Sequence, residues 1–427
     1  MRITFDEKHC YNAVSKEEID DFIDSNSGKI NSVLKGELGL SNFLGWHKVK
    51  TNAGGDVVWK NQEIADEIRK KADAFVIVGV GGSNRSAQTL IEGLCKKHGK
   101  VEIFYGGNNL SGGYLERLLE SLKGRSVYVN VIAKDFNTLE PGIAFRMLRD
   151  FFKKEYGKKY KNRIILTGSE GKGQLFEVAK EEGFRFLHFP KEVGGRFTAF
   201  TSVSFLPMMV AGVSVDKFVS GGKNGEDLSK SADLKSNIAV RYACVRHLLA
   251  ERGFFVQNFC YFEPSLEYFA KWALQLHGES EGKNGKSILP IISNFSEDLH
   301  AIGQYIQEGR KCIFETFLDL RVKTNKDIAK SSFADGFEYL DGKKYDILNE
   351  AVLVGSRKAH FQVGIPVMTF SADKISEKTL GELMYIFMMS TYIASVLINV
   401  EPFDQNGVED YKRNMYEVLG KEGKRES

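Results

Sequence analysis

The sequence predicts an α/β fold built from parallel sheets flanked by helices, and three observations lead there. Short β-branched runs alternate with longer amphipathic stretches, the pattern of strand–helix–strand units. The alternation comes in two series, with the second beginning near Gly194. The chain has 427 residues, which at ~100–200 residues per domain suits two such units, each burying its own core.

In the first series "AFVIVGV" (Ala74 to Val80), "VEIFYG" (Val101 to Gly106), "SVYVNVIA" (Ser126 to Ala133), "RIILTG" (Arg163 to Gly168) and "FRFLHF" (Phe184 to Phe189) read as strands. Amphipathic runs such as "GYLERLLESL" and "PGIAFRMLRDFFKKEYG" fill the gaps as helices, giving a parallel, doubly wound layout. The second series opens with the apolar helix "SFLPMMVAG" and passes through "SGGKNGEDLSKS" (Ser220 to Ser231), whose charge and glycines predict a loop. It continues with "FFVQNFCYF", "KCIFETFLDL" and "GIPVMTF" as strands. Residues 1–70 and 401–427 look mainly helical and read as packing arms, which leaves 71–190 and 191–400 as the two domains.

Composition narrows the function classes. A hydrophobic fraction of 42%, 42 glycines and 7 prolines exclude disordered and fibrous chains. No run approaches ~18 consecutive apolar residues, and Met1 to Val14 carries Asp6, Glu7, Lys8 and His9 rather than a signal peptide, so a soluble, cytoplasmic protein without membrane contact is expected. The five cysteines are an odd number with no close pairing and read as reduced thiols, with no zinc site. A net charge of +3 is too small for a nucleic-acid footprint, though it leaves room for a local basic pocket that takes a small anion.

The stretch "VIVGVGGSNRSAQTLIEGL" (Val76 to Leu94) is a strand that breaks into glycines and then a helix. Asn84 stands where a dinucleotide fingerprint needs its third glycine, and no acidic residue closes the next strand at Phe104-Tyr105-Gly106. Nicotinamide binding is disfavoured. In "ESEGKNGKS", Ser280 replaces the first glycine of a P-loop, which disfavours ATP. What remains is a strand ending in glycines and Ser83, followed by a helix whose first N–H groups can hold an anion.

Further motifs follow: "KEVGGRFTAFTSVSFLPMMVAG" (Lys191 to Gly212), "QLHGESEGK" (Gln275 to Lys283), "DLHAIGQYIQEG" (Asp298 to Gly309) and "PFDQNGVEDYK" (Pro402 to Lys412). With "GVGGS" and "PGIAFR", in this order and spacing, the chain resembles the bacterial type of glucose-6-phosphate isomerase from about Val76 to Gly420. The resemblance implies two sugar-isomerase (SIS-type) domains with a C-terminal helical arm, and interconversion of glucose 6-phosphate and fructose 6-phosphate. It also implies a homodimer whose histidine crosses the subunit interface. No organic cofactor or metal is expected.

By the same resemblance Glu279 is the base that carries a proton between C2 and C1, and Arg196 stabilises the enediolate. His300 and Lys412 open the sugar ring, a task suited to an imidazole that titrates near neutrality. Glu140 orients that imidazole, and Gln275 and Gln405 line the substrate pocket. Gln275 and Glu279 share a face if their segment is helical, being four residues apart. The other seven histidines read as surface or core residues.

The phosphate loop departs from the family. The usual Ser-Lys-Ser-Gly-Thr-Thr is here Ala133-Lys134-Asp135-Phe136-Asn137-Thr138. Three hydroxyls and a glycine are lost and a carboxylate is gained; two unit charges ~4 Å apart at an effective dielectric of ~20 repel by about 4 kcal/mol. Gly82, Ser83, Lys134 and Thr138 remain as phosphate ligands, and Arg85 is a candidate for replacement charge. The altered loop fits one alternative, an isomerase whose preference has shifted, for instance toward mannose 6-phosphate. A second alternative, a non-catalytic sugar-phosphate sensor, predicts erosion of Glu279, Arg196, His300 or Lys412, and all four are present.

Overall fold

In the computed structural model, residues 3–38, 41–95, 100–134, 138–171 and 173–421 are described. Among them ten strands form two five-stranded sheets. They are β1 (Thr4–His9), β2 (Ala74–Val78), β3 (Glu102–Gly106), β4 (Val127–Ile132), β5 (Ile164–Gly168), β6 (Arg185–His188), β7 (Val256–Tyr261), β8 (Leu289–Asn294), β9 (Ile313–Leu320) and β10 (Val367–Ala372).

The first sheet has the order β3-β2-β4-β5-β6 and every pairing is parallel. Its three inner strands are buried throughout, which is why "AFVIV", "VYVNVI" and "IILTG" read as continuous apolar runs with helices covering both faces. The second sheet has the order β1-β10-β9-β7-β8, parallel except at β1.

β1 corrects the reading of the first 70 residues as a helical packing arm: they also supply a strand. Phe5 rests on Phe370, ring centroids 4.9 Å apart, and Tyr242 meets it edge-on at 5.7 Å. An edge strand with one solvated face carries alternate polar residues, so "TFDEKH" has no apolar run to announce it. β8 also lies outside the strands expected from the sequence. Pro290 is inside it, and an edge strand tolerates the lost donor.

The stretch Ser220 to Ser231 is not a loop. Most of it belongs to a helix, Val215–Ser229, packed against the long helix Glu377–Leu397. Its glycines are where the two backbones meet. A Cβ on Gly221 would lie 2.0 Å from the Lys378 carbonyl oxygen, one on Gly225 2.5 Å from that of Glu382, and one on Gly381 2.2 Å from that of Phe218. Glycine costs a helix ~1 kcal/mol relative to alanine, and close tertiary packing overrides that local preference. The helix Glu377–Leu397 has the length and apolarity of a membrane span, yet 94% of its apolar window is buried inside the protein. It is the central core helix, in contact with helices from residues 27–35, 215–229, 238–251 and 267–281.

Candidate active site

The order β3-β2-β4 places a topological switch point between β2 and β4. In open α/β sheets a crevice for ligands forms there, outside the carboxyl ends of the strands. β2 runs out into Gly79–Ser83, and β4 into Ala133 and Lys134.

Two turns meet at this crevice. Gly81 caps the helix Gly82–Leu94 with φ +55°, a conformation glycine adopts without strain, and a Cβ there would lie 2.7 Å from Gln275 Nε2. A Cβ on Gly82 would lie 2.2 Å from the Gly195 carbonyl, so the turn touches the 3₁₀ segment Gly195–Phe200 backbone to backbone. Thr198 ties them together, its hydroxyl 2.9 Å from the carbonyl oxygens of both Gly82 and Gly195. The N–H groups of Ser83, Asn84 and Arg85 bond back to Val80 and Gly81. Those of Val80, Gly81 and Gly82 have no protein acceptor among the described residues, leaving donors at the positive end of a helix.

Arg196 lies in the 3₁₀ segment with its side chain 4% exposed. Its Nε donates to Ser280 Oγ at 2.8 Å, and Nη1 donates to Glu279 Oε2 at 3.1 Å. Nη2 donates to the carbonyl oxygens of Pro402 and Asp404 at 2.5 and 3.0 Å. Four of the five guanidinium hydrogens are thereby committed, and the remaining one sits on Nη1, the nitrogen beside the carboxylate. Burial lowers the Arg196 pKa, and Glu279, followed by Asp404 and Glu401, opposes that shift.

Glu279 lies in the last turn of the helix Glu267–Glu281, with Gln275 one turn earlier on the same face. Gln275 Nε2 donates to Glu279 Oε1 at 2.7 Å, so the carboxylate is held at both oxygens. A buried guanidinium beside a carboxylate that stays 24% exposed can move a proton and stabilise an adjacent developing oxyanion. Lys134 is half-buried, 5.4 Å over the Phe189 ring, with its ammonium 3.4 Å from the Lys191 carbonyl. Burial lowers its pKa, Glu192 opposes this, and the charge of Arg196 adds to it.

The structure thus brings together Arg196, Glu279, Gln275, Gly82 and the Ser83 turn, with Lys134 close by. The other residues of the sequence-derived site make no hydrogen bond or ion pair to this group among the described residues. His300 is exposed on the 3₁₀ segment Glu297–His300 and, among the described residues, makes no hydrogen bond or ion pair to this group. It borders a 490 Å³ cavity shared with Gln304, Ala359 and the buried His360. Lys412 lies on the helix Glu409–Val418 and pairs with Glu409 at 2.7 Å, while Gln405 is exposed. Glu140 is in the first turn of the helix Leu139–Tyr156. Thr138 is that helix's N-cap and borders a cavity with Arg146, Arg149 and Tyr416. Arg85 is directed to Gln88, at 3.5 Å, and to the Tyr268 ring at 6.0 Å. Asp135 lies outside the described residues. A larger cavity, 640 Å³, is at the carboxyl end of the second sheet beside Phe262, Leu320 and Asn349, and none of the motif residues lines it.

Sequence reasoning missed Ser280, Thr198 and the carbonyls of Pro402 and Asp404. Ser280 sits inside the quoted glutamate motif and was within reach. The carbonyls were not, because a backbone acceptor carries no side-chain signal.

The phosphoglucose isomerase family model matches residues 59–426. A relative from Fusobacterium nucleatum, described as glucose-6-phosphate isomerase, is 35% identical over 436 residues, covering 99% of this chain and 96% of its own. Among solved structures, a hypothetical protein from Thermus thermophilus aligns with TM-score 0.90 at 23% identity, covering 98% of this chain and 100% of its own. A glucose-6-phosphate isomerase from Chlamydia trachomatis aligns with TM-score 0.83 at 16% identity, covering 98% and 88%.

Proposed function

The chain belongs to the phosphoglucose isomerase family, and from that premise we propose how its own residues divide the work. The reaction is the reversible isomerisation of glucose 6-phosphate and fructose 6-phosphate, a step of glycolysis and gluconeogenesis. Glu279 takes the proton from C2 of the open-chain aldose while the C1 carbonyl collects the electron pair as an enediolate. The proton returns from Glu279 to C1 while the C2 hydroxyl proton passes to the O1 oxyanion, so that C2 becomes the ketone and C1 carries the hydroxyl. Arg196 faces the developing oxyanion with its remaining Nη1 hydrogen, a preorganised donor in a largely buried site. The observation that carries this reading is the Glu279–Arg196–Gln275 group, closed at both carboxylate oxygens and set against the glycine turn.

The phosphate is held by the free N–H groups of the turn, by Ser83 and by Lys134, with Thr138 at the loop's far end. Gln405 contributes to the pocket. His300 and Lys412 move the ring proton, and Glu140 orients the imidazole. His300 is exposed and apart from Glu279, which supports a homodimer in which a second copy supplies it. Phe333, Phe337, Tyr339 and Tyr345 are all more than half exposed within one segment, an apolar surface suited to such a contact. The enzyme acts in the cytoplasm.

The test is a coupled assay of the purified protein with glucose 6-phosphate, mannose 6-phosphate and unphosphorylated glucose, alongside sedimentation for subunit number. Turnover of glucose 6-phosphate by a dimer is expected. Preference for mannose 6-phosphate would reassign the substrate, and absence of turnover would reassign the chain as a sensor.

A further inference from the structure

Lys283 closes the glutamate motif without facing the glutamate. It follows the helix Glu267–Glu281 by two residues, past Gly282, where a Cβ would lie 2.4 Å from the Gly278 carbonyl oxygen. Its side chain, 18% exposed, runs to the segment 401–404, pairs with the Asp404 carboxylate at 2.5 Å and donates to the Glu401 carbonyl. Those two anchors bracket the Pro402 and Asp404 carbonyls that hold Arg196 Nη2. From the other side the segment rests on Phe403, packed edge-on against Phe197 at 5.4 Å and tilted against Tyr392 at 5.4 Å.

We propose that Lys283 is a positioning residue for the isomerisation: by fixing the 401–404 segment it aims the Arg196 guanidinium so that Nη1 meets Glu279 and the oxyanion. The inference rests on reading Arg196 and Glu279 as the reacting pair. Its physical basis is geometric and electrostatic. Aromatic packing sets the distance of the segment from Arg196 but not the direction of its carbonyls; the ammonium sets that by holding a carboxylate and a carbonyl at once. It also occupies the Asp404 carboxylate. Released, this anion would compete with Glu279 for the same guanidinium, because opposite charges a few ångströms apart in a partly buried site attract strongly.

The experiment compares wild type, Lys283→Met and Lys283→Arg. Turnover is measured with two inhibitors: a phosphorylated hydroxamate that mimics the enediolate, and a hexitol 6-phosphate that presents the phosphate without an enolisable centre. Lys283→Met should lose at least tenfold in kcat with KM within threefold. It should bind the hydroxamate at least tenfold more weakly and the hexitol phosphate within twofold of wild type. Lys283→Arg should recover most of the kcat. The proposal is overturned if Lys283→Met turns over within threefold of wild type, if both inhibitors weaken equally, or if arginine does not rescue. Should Lys283→Met fail to fold, the inhibitor ratio is read on Asp404→Asn, and an unchanged ratio there overturns it. Full turnover by Glu279→Gln would instead overturn the site reading itself, independently of Lys283.

Discussion

Glu279 and Arg196 are 3.1 Å apart, and each substitution at this pair has a distinct expected signature. Glu279→Gln keeps the bond from Gln275 to an oxygen but cannot accept a proton, so kcat should fall by ~10²–10⁴ with little change in KM. Steady-state kinetics checks this, and near-normal turnover would remove Glu279 from its role. Gly82→Ala is a geometric probe. The added methyl would overlap the Gly195 backbone at 2.2 Å and approach the Arg196 nitrogen at 2.6 Å, pushing the arginine segment away from the turn. Misplacement of about 1 Å can cost ~10²-fold in rate. The expected result is a folded protein, by circular dichroism, whose kcat has dropped at least tenfold; unchanged kinetics would mean the two turns do not need their contact. Arg85→Ala should be nearly silent in KM for glucose 6-phosphate, since the guanidinium is turned to Gln88 and Tyr268. A severalfold rise would show that it swings to the phosphate.

The helix Glu267–Glu281 carries Glu279 on one face and a buried ion network on the other. Glu281 is paired bidentately with Arg246 at 3.0 and 2.8 Å, and His277 Nδ1 lies 2.8 Å from the same carboxylate. Arg246 also donates from Nε to Gln257 at 2.8 Å. Burial pulls the His277 pKa down to about 4, Arg246 adds to that, and Glu281 opposes it. Burial alone would raise Glu281, but Arg246 and His277 outweigh it and bring the carboxylate to about 2. Below its ordinary value of 6.5, the imidazole binds a proton in the unfolded chain before it does so in the fold, so stability declines as pH falls from 6.5 toward about 4. The Glu281 contribution is complete above 4.5 and is lost as pH falls toward about 2. Urea unfolding at about pH 7, 5.5 and 4 should show midpoints falling in that order. Glu281→Gln leaves Arg246 buried without its anion and should cost ~3–5 kcal/mol near neutral pH. A loss under ~1 kcal/mol would mean that water or Gln257 satisfies the guanidinium unaided.

Across the whole molecule, the separation of His300 from the Glu279 group makes a complementation test decisive. Mixing His300→Ala with Glu279→Gln subunits should restore activity if each site takes its histidine from the other chain, since one site in the mixed dimer then has both groups intact. Up to about half of the mixed dimer's sites can be whole. Continued inactivity, with subunit exchange verified by mass, would mean each site is complete within one chain. His300→Ala should also slow cyclic substrate more than an open-chain analogue, because only the ring form needs that proton moved.

Fold class was legible because period and composition are local properties of the chain. The runs Ala74 to Val80 and Ser126 to Ala133 contain strands buried on both faces and could hardly be anything but inner parallel strands. Motifs named Glu279, Arg196, Gln275 and the glycine turn for the same reason: specific residue types at fixed spacing. Where partners are remote, the sequence was silent or misleading. Gly221, Gly222 and Gly225 look like loop residues until close packing partners, Phe200 and the backbone of Glu377–Leu397, are laid against them. "TFDEKH" becomes a strand only because β10 offers it an edge. The Pro402 and Asp404 carbonyls become arginine ligands only when the chain returns some two hundred residues later. A pattern along the chain determines what each segment can form; which backbone or side chain satisfies it depends on contacts that exist only after the chain has folded.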